Sequence, residues 1–326
     1  MLELINLPLD DELIEQYGGI DGINQLLEQT GCHSVEWIWG GRTVRSELPK
    51  PMTQGYHLTF FSDWLDFYKG DQARLKAKFG DEKTIETIYG SLNKNILLQK
   101  YKEDLARAIE LGSQYVVFHI SDVSIEEGYS YEREHSDEEV LDASIELINQ
   151  LLENLPPEID FLVENLWWAG FRFTEPQKTK YLLDGISYKK KGIMLDTGHL
   201  MNTNLHLGNE EEGIDYILRM LENHGEYADY VKGLHLNKSL SGEYVKQTIG
   251  KLPVPSGNYF ERFAKSYSHI LQIDRHEPFT EKKIIRLLEK VQPKYVVHEL
   301  KGGSLENKAK AIAIQREAIE DYIRRL

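Results

Sequence analysis

The sequence predicts a (β/α)8 barrel that holds divalent metal ions at the carboxyl ends of its strands. Eight short β-rich runs alternate with longer amphipathic segments, which is typical of repeated βα units around a parallel sheet. The chain has 326 residues, somewhat more than the roughly 250 residues common for this fold. Most of the later strands end on His, Asp or Glu. Together these observations indicate the fold class and the end of the barrel where a site would lie.

The predicted strands are rich in β-branched and aromatic residues. They cover residues 2–7, 34–39, 56–61, 115–120, 160–166, 192–197, 231–237 and 295–300. A doubly wound open sheet is the alternative arrangement of such units, but it favours a glycine-rich phosphate loop after the first strand. The sequence LPLDDE stands there instead, which favours the closed barrel.

Helical segments with apolar residues at i, i+3 and i+4 separate the strands. They cover residues 96–112, 137–155, 211–225 and 280–291, with a closing helix over 307–326. We expect one domain over 1–326, with two small domains as the alternative. Two long connections, at about 121–136 and 238–272, follow strands and are expected on the active-site face.

Composition argues against several classes of partner. The formal net charge of −15 does not favour a broad basic surface for nucleic acid. No window approaches the roughly 18 consecutive apolar residues of a membrane span. Cys32 is the single cysteine, so no internal disulfide can form and a cytoplasmic location is the default expectation. A metal site would therefore be built from His, Asp and Glu.

Period-two alternation makes the strand ends more informative. If Glu299 points into the barrel, Tyr295 and Val297 point inward with it, while His298 faces the helices; Glu164 pairs with Leu162 in the same way. Burying several such charges together is costly unless a cation neutralises them. Mixed carboxylate and imidazole ligands suit Zn, Mn, Fe or Co better than Ca or Mg.

Several short motifs lie over roughly residues 57–300: LDTGH, KGLHLN and DRH, with the strand ends FH and EN. In type and order they resemble the motifs of the xylose isomerase-like TIM-barrel superfamily, and within it are most similar to those of the endonuclease IV family (AP endonuclease family 2). The resemblance implies three metal ions. Because nine candidate ligands are too many for one ion, we expect two or three divalent transition metal ions per chain, with Zn expected and Mn as an alternative. The implied ligands are His57 and His119 for one ion, and Glu164 shared between two ions with Glu299. Asp196 and His235 would complete one site, and His199, Asp274 and His276 another.

Three side chains near these motifs have two interpretations each. Trp167 and Trp168 follow the EN motif, where the family commonly has small residues, and would either pack against helices or form a stacking wall for a sugar or base. Arg275, inside DRH, would either contact a phosphate or form a surface ion pair. The first strand also lacks the family's His-containing motif, and together these departures put DNA as the substrate in doubt.

Two enzymatic functions and one binding function follow from these residues. The first is metal-assisted hydrolysis of a phosphoester, in which Glu164 orients the attacking hydroxide. The second, implied by the resemblance to the superfamily's isomerases and epimerases, is sugar isomerisation or epimerisation. In it one metal is held by Glu164, Asp196, His235 and Glu299, and the two glutamates exchange protons with the substrate. A metal-stabilised binding scaffold is the third. For either enzyme we expect a small phosphorylated or sugar substrate.

Overall fold

The described residues, 1–40 and 48–325 of the computed structural model, form a closed barrel of eight parallel strands. Each strand pairs with its neighbours along the chain, and the last strand pairs with the first, with Leu4 opposite Val297. The predicted barrel is confirmed, and the open sheet is wrong. The strands are β1 (Leu2–Leu9), β2 (Ser34–Trp39), β3 (Thr53–His57), β4 (Tyr115–His119), β5 (Asp160–Glu164), β6 (Lys191–Asp196), β7 (Val231–His235) and β8 (Tyr295–His298).

In the described part of the chain, α-helices follow every barrel strand except β2, where a 3-10 turn at Lys50–Met52 precedes β3. Each of the five predicted helices is present, although the one expected over 280–291 begins only at Ile285, after a 3-10 turn at Lys282–Ile284. The helices are α1 (Asp11–Gln16), α2 (Gly19–Thr30), α3 (Leu65–Lys69), α4 (Gln72–Phe79), α5 (Glu82–Tyr89), α6 (Asn95–Leu111), α7 (Ile125–Ser130), α8 (Asp137–Leu151), α9 (Pro176–Gly185), α10 (Thr197–Asn202), α11 (Glu210–His224), α12 (Gly242–Thr248), α13 (Tyr259–Ile273), α14 (Ile285–Val291) and α15 (Leu305–Ile323).

Alternation along the strands divides the core into two parts, as predicted. Inward-facing side chains fill the barrel as one cluster: Leu4, Tyr115, Val117, Leu162, Met194, Tyr295 and Val297. Outward-facing residues such as Phe161, Val163 and Val296 belong to the larger core shared with the helices. His298 lies on this outer side, where it contacts Glu3. The apolar interior therefore ends where the polar strand ends begin.

The strand predicted over 56–61 is placed too late in the chain. The structure forms β3 over Thr53–His57, and Leu58 adds one further backbone bond to Val117. The side chain of Asp104 then accepts the N–H of Thr59 at 2.8 Å, so the chain leaves the sheet. The half-buried Phe61 packs on Tyr89 and Tyr101 instead of extending the strand.

The long connections contain more helix than their sequences suggest. Residues 121–136 contain α7 and a two-residue strand, Ser121–Asp122, that pairs antiparallel with Ala169–Gly170. Residues 238–272 contain α12 and most of α13. A third long connection, 58–94, was not predicted and carries α3, α4 and α5. All three follow barrel strands, so they gather at the carboxyl face.

Within the described residues, no helix combines the length and apolar character needed to span a membrane.

Candidate metal centre

Glu164, at the end of β5, is the centre of a buried cluster of imidazole and carboxylate groups. Its Oε2 lies 2.9 Å from Nε2 of His57 and 3.4 Å from Nε2 of His119. Its Oε1 lies 3.3 Å from Nδ1 of His199 and 3.2 Å from Nδ1 of His235. The two oxygens of this carboxylate thus face opposite sides of the cluster, one toward each pair of imidazoles, which is the geometry expected of a bridging ligand.

The predicted ligands fall into three overlapping groups that could each hold an ion. Atoms within each group lie within 4.8 Å of one another, and the groups are His57, His119 and Glu164; Glu164, Asp196, His235 and Glu299; and Asp196, His199 and His276. Asp274 stands just outside the third group but contacts both of its imidazoles, at 3.5 Å from His199 and 2.8 Å from His276. The structure therefore brings all nine side chains together.

Backbone carbonyls fix the orientation of two of these imidazoles. Nδ1 of His57 lies 3.0 Å from the carbonyl oxygen of Leu58, and Nδ1 of His199 lies 3.0 Å from that of Asn165. A ring nitrogen that donates to a carbonyl leaves the other nitrogen with its lone pair available for a metal. In both residues that other nitrogen, Nε2, faces a carboxylate of the cluster.

The LDTGH and KGLHLN motifs interlock, which explains their residue types. Asp196 accepts the backbone N–H of His199 at 2.6 Å and the side-chain amide of Asn237 at 2.7 Å. The hydroxyl of Thr197 donates to the carbonyl oxygen of Asn237. A side chain at Gly198 would come within 1.9 Å of the Asn237 amide oxygen, so only glycine fits there. The motifs thus hold Asp196 and His199 rigidly beside β7.

Glu36, in the middle of β2, is a fully buried carboxylate that sequence reasoning missed. It lies 3.0 Å from Nε2 of His235 and accepts the hydroxyl of Tyr115 at 2.7 Å. The opposite nitrogen of His235, Nδ1, consequently faces Glu164 and Glu299. A single acid inside an otherwise apolar and aromatic strand, SVEWIW, was the available sequence signal.

The DRH loop reaches the cluster through an unusual backbone conformation. Asp274 directly follows α13, and His276 has a φ of +47°, a region that non-glycine residues adopt at a cost. The following residue, Glu277, pairs with Lys238 through two backbone hydrogen bonds. This pairing holds the turn that directs the His276 ring toward Asp274.

The charge balance of these residues fits bound cations. Burial and the nearby carboxylates of Glu299 and Glu164 raise the pKa of Asp196 to about 7, although His199 opposes them. Among the described residues, Nδ1 of His119 and Oδ1 of Asp274 are buried without a hydrogen-bond partner, while Nδ1 of His235 and Oε2 of Glu299 lie 2.7 Å apart without hydrogen-bond geometry. Buried polar atoms without partners are rare. A cation held by Glu164, Asp196 and Glu299 would remove the repulsion between these carboxylates.

The two tryptophans and Arg275 lie in different surroundings. Trp167 and Trp168 are buried and line a cavity above the cluster, with their rings 5.3 Å apart. Arg275 is not among the described residues that line this cavity; its guanidinium pairs with Glu277 at 2.7 Å. The tryptophans are thus placed to touch a ligand, and Arg275 is turned toward the surface loop.

Comparisons with solved structures find the same fold. The chain is similar to endonuclease IV from Thermus thermophilus, with 13% identity, a TM-score of 0.55 and 98% and 100% of the two chains covered. It is also similar to a sugar phosphate isomerase/epimerase from Parabacteroides distasonis, with 14% identity, a TM-score of 0.51 and coverage of 97% and 93%. An L-ribulose 3-epimerase matches with 9% identity, a TM-score of 0.53 and coverage of 98% and 96%.

Sequence comparison adds the family. No curated protein matches the chain significantly. A family model described as a xylose isomerase-like TIM barrel matches residues 88–325, which is most of the chain and includes every candidate ligand except His57. The resemblance seen in the motifs is therefore confirmed: the chain belongs to the xylose isomerase-like TIM barrel family.

Proposed function

We propose that this protein is a metal-dependent hydrolase of phosphoesters. The observation that carries the proposal is the shared carboxylate of Glu164, whose two oxygens face His57 and His119 on one side and His199 and His235 on the other. Nine ligand-type side chains are more than one ion needs at four to six positions. We infer two or three transition metal ions, with Zn favoured by the imidazole-rich ligands.

Different residues of the cluster would have different roles in such a reaction. Bound metal ions would lower the pKa of a water molecule and polarise the phosphoryl oxygens. Glu164 lies between the groups and would orient the attacking hydroxide. His199, Asp274 and His276 line the cavity and would hold a metal ion there, whose positive charge would attract the phosphate.

Sugar isomerisation or epimerisation is the second candidate, and one observation favours it. Glu164, Asp196, His235 and Glu299 form a complete ligand group for one ion, with two glutamates available to exchange protons with a substrate. A one-metal reaction has no need of His57, Asp274 and His276. Their place in the same cluster supports hydrolysis instead.

The double variant Asp274→Ala/His276→Ala separates these functions. The protein is first screened against phosphodiesters and ketoses to find a substrate that the wild type converts. Hydrolysis predicts a loss on the order of a thousandfold in rate, because a metal that stabilises phosphoryl charge is lost. Glu277→Ala is the matched control in the same loop: the half-buried Glu277 side chain pairs with Arg275 rather than with a candidate ligand, so activity should be retained.

An isomerase would behave differently in the same experiment. The double variant would keep one metal ion and lose less than about tenfold in rate. That result, obtained with a control of normal activity, would overturn the hydrolase proposal and favour the four-residue site.

A further inference from the structure

A cavity of about 300 Å³ opens above the candidate metal centre. Five candidate ligands contribute to its lining: His119, His199, Asp274, His276 and Glu299. This volume lies at the lower end of the roughly 300–1,000 Å³ of sites that bind small molecules. The part of the substrate next to the reacting group must therefore fit among the residues of this cavity, and their chemistry limits what that part can be.

One wall of the cavity is a single face of α13. Tyr259, Phe263, Tyr267 and Ile270 recur every three or four residues and all line the cavity. The helix ends directly before Asp274, so this aromatic face leads down to the metal centre. Phe263 and Tyr267 remain 45% and 58% exposed, which leaves them free to contact a ligand.

The remaining walls of the cavity are also mainly apolar. Trp167, Trp168 and Leu166 come from the segment after β5, and Phe60 comes from the segment after β3. The ring of Phe60 lies 4.5 Å from that of His119, so the apolar surface continues down to a candidate ligand. Aromatic walls of this kind favour flat apolar groups through burial and ring stacking.

No Lys or Arg is found among the described residues that line the cavity. Nearby cations are already paired, since Arg262 contacts Glu126 and Lys78 contacts Asp63 at 2.7 Å. A phosphate in the cavity would find positive charge only at the metal centre. A second anionic group on the substrate would find none.

The cavity also offers few partners for a polyol. Apart from the candidate ligands, the tyrosine hydroxyls and the indole N–H groups of Trp167 and Trp168, the polar side chains among the described lining residues are Ser62, Asp63, Ser124 and Ser266. A sugar buried against the aromatic walls would leave several hydroxyl groups without hydrogen bonds, which is unfavourable. An aromatic ring in the same place has no hydroxyl groups and so loses no hydrogen bonds on burial.

We infer that the substrate carries an uncharged, flat aromatic group beside the reacting phosphate, and that this group stacks between the α13 face and the Trp167–Trp168 pair. The phosphate part of this inference rests on the proposed hydrolysis. The ring-binding part rests on the cavity alone, so the two can be tested separately.

Binding is tested with 2-(2-naphthyl)ethanol as the probe, by titration calorimetry on the metal-loaded protein. The double variant Phe263→Ser/Tyr267→Ser should bind the probe at least about tenfold more weakly, because it removes two exposed cavity rings. Phe260→Ser is the matched control: Phe260 is 47% exposed on the same helix but does not line this cavity. Equal affinity in the double variant and the control, or no binding to the wild type, would overturn the inference.

Turnover is tested with two methyl phosphodiesters whose leaving groups are both alkyl alcohols, 2-(2-naphthyl)ethyl and glyceryl. Their intrinsic reactivities are similar, so a difference in kcat/KM reports recognition. We expect the naphthylethyl ester to be favoured by roughly thirtyfold or more. Hydrolysis that favours the glyceryl ester would refute the inference and leave the proposed function intact. Binding of the ring without hydrolysis of any phosphoester would refute the proposed function and leave the ring-binding part of the inference intact.

Discussion

Nε2 of His235 lies 3.0 Å from a carboxylate oxygen of Glu36, inside the barrel and below the metal centre. A carboxylate behind an imidazole fixes its tautomer and makes its other nitrogen a better ligand. Here that other nitrogen, Nδ1, lies 2.7 Å from Glu299. β2, which like β1 contributes no predicted ligand, thus still supports the centre.

Glu36→Gln should weaken metal binding roughly 10- to 100-fold, because the amide no longer holds the His235 tautomer. Competition with a chromophoric chelator measures the affinity. Glu3→Gln is the matched control, since Glu3 contacts His298 at 3.2 Å on the outer side of the barrel. If both variants bind metal as tightly as the wild type, Glu36 does not position His235.

Glu164→Gln and Glu299→Gln should each abolish activity, whichever of the two reactions the protein catalyses. Each change removes a ligand charge and a candidate proton acceptor from the cluster. Turnover is measured at saturating metal on the best substrate of the screen. His298→Ala should leave the metals in place, because that ring faces the helices. Wild-type turnover in either glutamine variant would place the active site elsewhere.

Chelation should lower the melting temperature, because ions that bind only the folded state stabilise it. Thermal unfolding is compared before and after dialysis against a chelator, and again after zinc is restored. Glu164→Gln should show a smaller difference, since it weakens the shared ligand. A melting temperature that chelation does not change in the wild type would argue against tightly bound ions.

Asp137 should contribute to stability in a pH-dependent way. Burial alone would raise its pKa, but Lys178 and Arg172, each at 2.6 Å, lower it below the ordinary value of 3.8. The stabilising effect is therefore complete above about pH 4 and is lost as the pH falls through the lower pKa of the folded state. Asp137→Asn should cost about 3–5 kcal/mol at pH 7.

Urea unfolding at pH 7 and pH 3 measures this effect, and the difference between wild type and Asp137→Asn should shrink at pH 3. Asp184→Asn is the control, because Asp184 forms an exposed ion pair with Lys180 and should cost less than about 1 kcal/mol. A penalty at pH 3 as large as that at pH 7 would contradict the assignment.

The barrel could be predicted from sequence because its strands depend on local patterns. Alternation placed Leu162 and Val297 inside and His298 outside, and the structure agrees. The error at 56–61 has a tertiary cause: Asp104, distant in sequence, captures the backbone of Thr59. The three short helices of residues 58–94 were missed because they span only 5, 8 and 8 residues, too few to show a clear i, i+3, i+4 pattern.

The residues of the candidate site also fall into those that the sequence predicts and those that it does not. Ligands at strand ends, such as Glu164 and His235, follow from alternation and motif. Glu36 was missed because its role depends on a contact across the barrel. The aromatic face of α13 was also missed, since its residues were assigned to a loop. The positive φ of His276 depends on the pairing of Glu277 with Lys238, which no local pattern encodes.

The number of metal ions per chain tests the central claim most directly. Protein purified without chelators and loaded with zinc is freed of excess metal, and its zinc is measured by elemental analysis against protein concentration. The shared carboxylate of Glu164 and the three ligand groups predict two or three ions per chain. At most one ion per chain in fully loaded, folded protein would contradict the multinuclear centre and leave the one-metal isomerase as the better account.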